Sequence, residues 1–209
     1  SNPFHATPIL LLFAYHLAAI FTKQQQSFSL QRRRTFFLLI LVTGFSFFIF
    51  YYAIKRLKAE SNWYKASELA KYDDFVKASK LYEEAYPFLK FNGDFLFNYG
   101  AESYLAEDYA LSIKLLNESQ HYNSISNNFL FLGDAYSETN QFVAAEQNYL
   151  KALYISPSRV FPKYKLIKLY KKWGKLDQAK YWTALVLRYP IKIESEFVED
   201  LIKELKEGI

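Results

Sequence analysis

Two patterns of hydrophobic and polar positions divide the chain. From Thr35 to Ile54 it reads TFFLLILVTGFSFFIFYYAI, twenty positions without a charge. At 1.5 Å per residue such a helix spans about 30 Å, the hydrocarbon thickness of a bilayer. Arg32, Arg33 and Arg34 precede it, and Lys55, Arg56 and Lys58 follow. Tyr51 and Tyr52 lie near its far end, where amphipathic rings suit the headgroup level. The pattern predicts a transmembrane helix over 35–54. The alternative, a buried core helix, would need an all-round apolar helix of this length inside a small soluble domain. Residues 1–22 are also free of charge, and Pro8–Phe21 (PILLLFAYHLAAIF) predicts a second, shorter span with Pro8 in its first turn. His5 and His16 share a face of that helix, and His16 is read either as an intramembrane functional group or as a hydrogen-bonding residue between helices.

From residue 59 the pattern repeats with a period near 34. One column runs Ala66, Gly100, Gly133, Ile167, and a second Phe75, Tyr109, Phe142, Leu176. A third is Ala78, Ser112, Ala145, Ala179, and a fourth Tyr82, Leu116, Tyr149, Thr183. Each column steps by 34, 33 and 34 residues, which predicts a solenoid of helical hairpins. Small residues in the first and third columns let two helices approach closely, and large ones in the second and fourth fill the space between neighbours. Asp73-Asp74, Glu107-Asp108, Asn140-Gln141 and Gly174-Lys175 mark the turn inside each hairpin, with Asn140 and Gly174 suited to a left-handed cap. Pro157 and Pro190 close the third and fourth units. In the tail, Ser195 can cap a helix whose stripe is Phe197, Val198, Leu201, Ile202 and Leu205, a lid over the last repeat.

The predicted organisation is therefore a membrane helix over 1–22, a basic loop over 23–34, a membrane helix over 35–54, a solenoid over 55–193 and a capping helix over 194–209. Charge sharpens this division. The chain has 26 Lys+Arg against 21 Asp+Glu. Seven of the cations and none of the acids fall within 1–58, leaving 19 basic and 21 acidic groups for the repeats. A basic nucleic-acid-binding surface on the repeats is disfavoured, since phosphate contacts need clustered cations. The four cations of 23–34 place that loop in the cytoplasm by the positive-inside rule. The second helix then delivers the repeats to the opposite side, the periplasm in a Gram-negative source. Lys55, Arg56 and Lys58 pull the other way, and the balance favours the periplasm.

Zero cysteines exclude thiol catalysis, disulfides and thiolate metal sites, and three histidines make a His-rich metal centre improbable. With no Met and Ser at position 1, the chain reads as a fragment or a processed product. Asp73-Asp74, Glu83-Glu84 and Glu199-Asp200 are adjacent on helices and point about 100° apart, so they do not converge on a substrate. There is no glycine-rich phosphate loop, metal-ligand spacing or serine-elbow motif. His121 stands in a polar connection and reads as a solvated loop residue. No catalytic group, cofactor or metal is expected.

The repeat resembles the tetratricopeptide repeat (TPR). In the third unit Phe129, Leu132, Gly133, Tyr136, Ala145, Tyr149, Ala152 and Pro157 fall on all eight signature positions. The second unit keeps Gly100 and Leu116 but has Ser103, Ser112 and Ser119 where Tyr and two Ala are usual. The fourth keeps Leu166, Tyr170 and Ala179 with Ile167 for Gly, and the first keeps Ala66, Ala78, Tyr82 and Ala85. The resemblance implies an all-α solenoid of about four hairpins plus a capping helix, preceded by one or two transmembrane helices. It also implies partner binding on the concave face of the first helices, where the candidates are Trp63, Phe97, Tyr104, Asn127, Asp134, Tyr164, Lys168 and Lys171. These aromatics either anchor a partner or pack between hairpins. Trp63 and Ser67 stand where carboxylate-clamping members have Lys and Asn, which argues against chaperone-tail binding.

Two membrane spans, a basic loop and an appended repeat also resemble the C-terminal end of O-antigen ligase-like polytopic proteins of Gram-negative inner membranes. The resemblance implies a non-catalytic tail of a glycan ligase or polymerase, with a protein or peptide partner and glycan-assembly components nearby. The family's catalytic loop has no counterpart here. The alternative is a free-standing, membrane-anchored TPR adaptor scaffolding a protein complex.

Overall fold

Every hairpin turn of the repeat is a helix end and a helix start fused through shared residues. The computed structural model describes residues 14–15, 29–122, 125–188 and 196–207. Among the described residues the numbered helices are α1 Ser29–Ala70, α2 Phe75–Leu89, α3 Gly93–Leu105, α4 Tyr109–Ser119, α5 Ser126–Glu138, α6 Phe142–Ile155, α7 Val160–Trp173, α8 Leu176–Arg188 and α9 Glu196–Glu207. There is no strand among the described residues. His5, His16, Pro190, Ser195 and nearly all of the predicted first span lie outside them.

The chain divides into two compact units after Ala59. In the first, α1 begins at Ser29, inside the segment expected as a basic loop, so Arg32–Arg34 lie on the helix. It also continues past Ile54 without a break. None of its most apolar window is buried, and Phe37 is 69% exposed. Two hydroxyls of its apolar stretch are satisfied within the helix: Thr43 Oγ1 donates to the Leu39 carbonyl and Ser46 Oγ to that of Val42, each at 2.8 Å. Internal satisfaction of this kind is what a lipid environment demands of a helix.

The second unit is the repeat. At Asp73, Glu107, Asn140 and Gly174 the backbone enters the left-handed region, with φ of 60°, 63°, 58° and 78°. Around each, two hydrogen bonds form a Schellman motif. The N–H of the left-handed residue donates three residues back, to Ala70, Tyr104, Ser137 and Lys171. The next N–H donates five back, to Leu69, Ser103, Tyr136 and Tyr170, at 2.8–3.1 Å. That same residue then starts the following helix. Asp74 and Asp108 accept from the backbone N–H of Lys77 and Leu111 through their carboxylates, capping α2 and α4. All four turns thus obey the spacing of the sequence columns.

Small-to-large pairing sets how closely the helices of a hairpin lie. A Cβ on Gly100 would meet Leu116 Cγ at 2.7 Å, and one on Gly133 would meet Tyr149 Cε1 at 2.3 Å. The fourth unit exchanges the sizes, with Ile167 as the large member and Thr183 as the small one, and both are buried. Of the three departing serines of the second unit, Ser119 at an alanine position and Ser103 at the tyrosine position make hydrogen bonds, whereas Ser112 Oγ is buried with no hydrogen-bond partner among the described residues. Ser119 Oγ donates to the Gly93 carbonyl at 2.9 Å, and Ser103 Oγ to that of Tyr99 at 2.7 Å. Successive hairpins share apolar cores: Phe129, Tyr149 and Ala152 pack with Leu166, Leu169 and Tyr170. At the end of the array, Leu201 and Leu205 of α9 cover Val160, Tyr164, Ile167 and Val186. The lid is that expected from the sequence stripe, although Phe197 stays 57% exposed at its edge.

Candidate partner-binding face

The first helices of the second, third and fourth hairpins, α3, α5 and α7, pack side by side. Their buried side chains pack within and between hairpins, and the remaining positions are half-buried or exposed. Phe97 and Tyr104 lie seven positions apart on α3, two helical turns along one face. Both rings meet the edge of Phe131 on α5, with centroids at 5.9 and 5.8 Å and planes inclined at 70° and 71°. Tyr109 of α4 extends the cluster, 5.7 Å from Tyr104. Phe97, Tyr104 and Phe131 are each half-buried, so they are supported from below and open above.

One turn beyond Phe131, Asp134 receives two donors: the Tyr149 hydroxyl at 2.5 Å and Lys165 Nζ at 2.8 Å. A further turn on, Glu138 pairs with Lys172 at 3.0 Å, and the same ammonium donates to the Ser137 carbonyl. The face is therefore aromatic on α3 and α5 and charge-paired between α5 and α7. Burial, followed by the negative charge of Asp134 and Glu138, holds the Tyr104 phenol well above its ordinary pKa, so it presents a neutral O–H.

The remaining candidates are distributed differently. Trp63 is half-buried and meets Phe95 edge-on at 5.7 Å, a packing contact between α1 and α3. Asn127 is exposed and accepts from Arg159 Nη1 at 3.5 Å. Tyr164 is only 6% exposed, and its hydroxyl donates to Glu204 of the capping helix at 2.5 Å. Lys168 lies over the Tyr164 ring, 5.3 Å from its centroid, and 4.0 Å from Glu204 Oε1. Lys171 is exposed in the last turn of α7. The structure thus brings Phe97, Tyr104 and Asp134 together and sets Tyr164 and Lys168 beneath or beside α9. Phe131 and Lys165, absent from the sequence candidates, are central. They occupy the position just after the column of Phe97 and Tyr164, which a register-by-register projection passes over. Among the described residues no group of three carboxylates or histidines could hold a metal ion.

No family model matches the sequence, and no curated protein matches it. The fold has solved counterparts. MamA of strain AMB-1 superposes with a TM-score of 0.58 at 17% identity, covering 72% of this chain and 80% of that one. PilF of Pseudomonas aeruginosa gives 0.57 at 18%, covering 72% and 68%. YrrB, described as a TPR protein with an unusual peptide-binding site, gives 0.52 at 16%, covering 59% and 64%. From Glu60 onward, the chain has the architecture of a TPR solenoid closed by a capping helix.

Proposed function

We propose that this chain is a membrane-anchored partner-binding module. It takes a protein or peptide segment along the first-helix face and forms the non-catalytic C-terminal tail of an O-antigen ligase- or polymerase-like glycan-transfer protein. Its setting is a bacterial inner membrane, with the repeats on the periplasmic side. The observation that carries partner binding is the Phe97–Tyr104–Phe131 cluster, three supported aromatic rings beside paired charges on a helical face. Rigid aromatic anchors flanked by polar groups are the usual make-up of binding hot spots. The peptide-binding description of YrrB, a structural counterpart, supports the same reading. Anchoring is supported by an exposed apolar stretch of α1 whose hydroxyls are satisfied within the helix. The parent reading is supported by the order of segments along the sequence, and glycan-assembly components are then the natural partners.

The test is a photo-crosslinking residue at Asn127, on the proposed face, compared with one at Tyr154, which is 87% exposed on α6. In source membranes the first should give a discrete adduct and the second none. Equal yields at both positions would sink the assignment of the face. Immunoblotting the native protein tests the parent: a species much larger than 24.7 kDa supports a polytopic enzyme, and one near that mass leaves an anchored adaptor.

A further inference from the structure

The two edges of the repeat differ in charge. Connections between hairpins run through 90–92, 120–125 and 156–159, and they hold Lys90 and Arg159 and no acid. The turns within hairpins, 71–74, 106–108, 139–141 and 174–175, hold Asp73, Asp74, Glu107 and Asp108 against Lys71 and Lys175. Neighbouring connections are tied to one another. Ser119 Oγ at the end of α4 donates to the Gly93 carbonyl at the start of α3, and Ser126 Oγ at the start of α5 donates to the Ala152 carbonyl near the end of α6. Arg159 Nη1 donates to Asn127 at 3.5 Å. On this edge the Phe91 and Tyr122 rings meet edge-on, 6.5 Å between centroids, yet they stay 67% and 51% exposed. Lys90 Nζ lies 5.1 Å from the Phe91 centroid. Asp94 and Glu118 occupy adjoining helix turns, and Glu118 is engaged by the Tyr86 hydroxyl at 2.7 Å. On the other edge the exposed Tyr72 is followed by two aspartates instead.

The connection edge is also where the chain enters the repeat. Asn62 Nδ2 donates to Glu84 at 3.0 Å, and Ser67 Oγ lies 3.0 Å from Tyr82 Oη, so the repeat part of α1 runs antiparallel to α2. Glu60 therefore lies beside the end of α2, next to 90–92. Only residues 55–59 separate Glu60 from the apolar stretch, and that length of chain reaches about 20 Å at most. A lipid surface that holds Ile54 is thus within that reach of the edge. Such a tether makes contact with the surface intramolecular, so interactions too weak to recruit a free protein suffice. Amphipathic rings favour the headgroup level, and each basic side chain near an anionic surface adds attraction. Resting on the membrane-anchored reading, we propose that the connection edge docks on the anionic lipid surface beside its own anchor. Phe91 and Tyr122 enter at headgroup level, and Lys90 and Arg159 face the lipid phosphates. The acidic turns belong to the edge that such a surface repels. The docking edge shares no residue with the Phe97–Tyr104–Phe131 cluster, so the lipid contact and partner capture stand or fall separately.

The chain has no cysteine, so one introduced cysteine carries a fluorophore at a single position. The test uses the full chain, one copy per lipid nanodisc, in phosphatidylglycerol and in phosphatidylcholine, with no other protein present. The label sits at His121→Cys on the docking edge, at Gln141→Cys in a turn, or at Phe48→Cys in the apolar stretch. In phosphatidylglycerol, lipid spin-labelled at the headgroup should quench the label at 121 and leave that at 141 bright. Lipid spin-labelled in the acyl chain should quench the label at 48. Lys90→Gln with Arg159→Gln should lower the docked-to-undocked ratio at 121 by roughly fivefold per charge, and phosphatidylcholine should lower it similarly. Phe91→Ser with Tyr122→Ser should remove the headgroup quenching; if that variant loses helix content, the charge variant decides. Quenching at 48 with equal signals at 121 and 141 would overturn the docking and leave the anchor standing. No quenching at 48 would overturn the anchor and the docking with it. Quenching at 121 that neither variant changes, or that is equal in the two lipids, would overturn the assignment to these residues and to anionic lipid.

Discussion

The ring of Tyr149 occupies the space that a Cβ on Gly133 would need, 2.3 Å from the nearest ring carbon. That ring cannot swing aside, because its hydroxyl is bound to Asp134 and the residue is 2% exposed. Gly133→Ala should therefore destabilise the chain by about 1–3 kcal/mol through overpacking. Gly100→Ala should cost less, since its Cβ would come within 2.7 Å of Leu116 Cγ rather than within 2.3 Å of a ring carbon held by a hydrogen bond. The natural Ile167–Thr183 pair points to the remedy, and the double substitution Gly133→Ala/Tyr149→Thr should be less destabilised than the sum of its parts. Denaturant unfolding followed by circular dichroism would show additive losses if the two positions were not coupled.

Glu107 holds a φ of 63° without the side chain that normally tolerates it. Residues with a Cβ pay about 1–2 kcal/mol in this region. Glycine avoids that cost but loses roughly 0.4–1 kcal/mol through its freer unfolded chain. Glu107→Gly should thus raise stability by about 0.5–1 kcal/mol, whereas Asn140→Gly should be nearly neutral because asparagine adopts the left-handed region readily. Gly174→Ala, at φ 78°, should be destabilising. Equal thermal shifts for the two glycine substitutions would show that strain at Glu107 is relieved elsewhere.

These positions also show what was legible beforehand. The four turns stood out in the sequence because they recur at the spacing of the columns, yet nothing about glutamate announces a left-handed backbone at 107. The exchange of sizes at Ile167 and Thr183 was readable as two departures from pattern; that they share one hairpin gives them a common cause. The ends of α1 were not readable. Arginine and lysine end an apolar stretch without ending a helix, so the charges bracketing 35–54 marked the limits of the apolar stretch rather than those of the helix. On the candidate face, repeat registers located Phe97, Tyr104 and Asp134. They passed over Phe131 because a half-open face includes the flanks of each column. Tyr164 shares the column of Phe97, but it lies at the end of the array, where α9 replaces the next hairpin. Its fate depended on how the lid seats, which periodicity does not encode.

Tyrosine hydroxyls tie adjacent elements to carboxylates: Tyr86 donates to Glu118 at 2.7 Å, Tyr164 to Glu204, and Tyr170 to Glu146. Burial first, and then the neighbouring carboxylate, pushes each phenol up to about 12. An unfolded tyrosine ionises near 10. Between these values the unfolded chain has released protons that the folded chain retains, so stability falls as pH rises. The melting temperature should hold up to about pH 9 and decline between about 10 and 12. Tyr170→Phe should be less stable at neutral pH but show a shallower alkaline decline. An unaltered slope in this variant would remove Tyr170 from the set of linked groups.

If the aromatic face is where a partner docks, its three rings should not contribute equally. Phe131 touches both Phe97 and Tyr104, so its removal leaves both flanking rings without their common support as well as deleting contact area. Phe131→Ala should reduce adduct formation from the Asn127 crosslinker by about ten- to a hundredfold, the range of a central hot spot. Phe97→Ala and Tyr104→Ala should each cost less, because Phe131 retains one neighbour in either case. Helix content should persist in all three, since none of these rings is fully buried. Trp63→Ala makes the contrasting case: its ring packs edge-on against the buried Phe95, so its loss should lower the melting temperature more than it lowers capture by the folded fraction. Should Phe131→Ala capture its partner as well as the parent chain while Trp63→Ala does not, the docking surface belongs on the α1 side of the array instead.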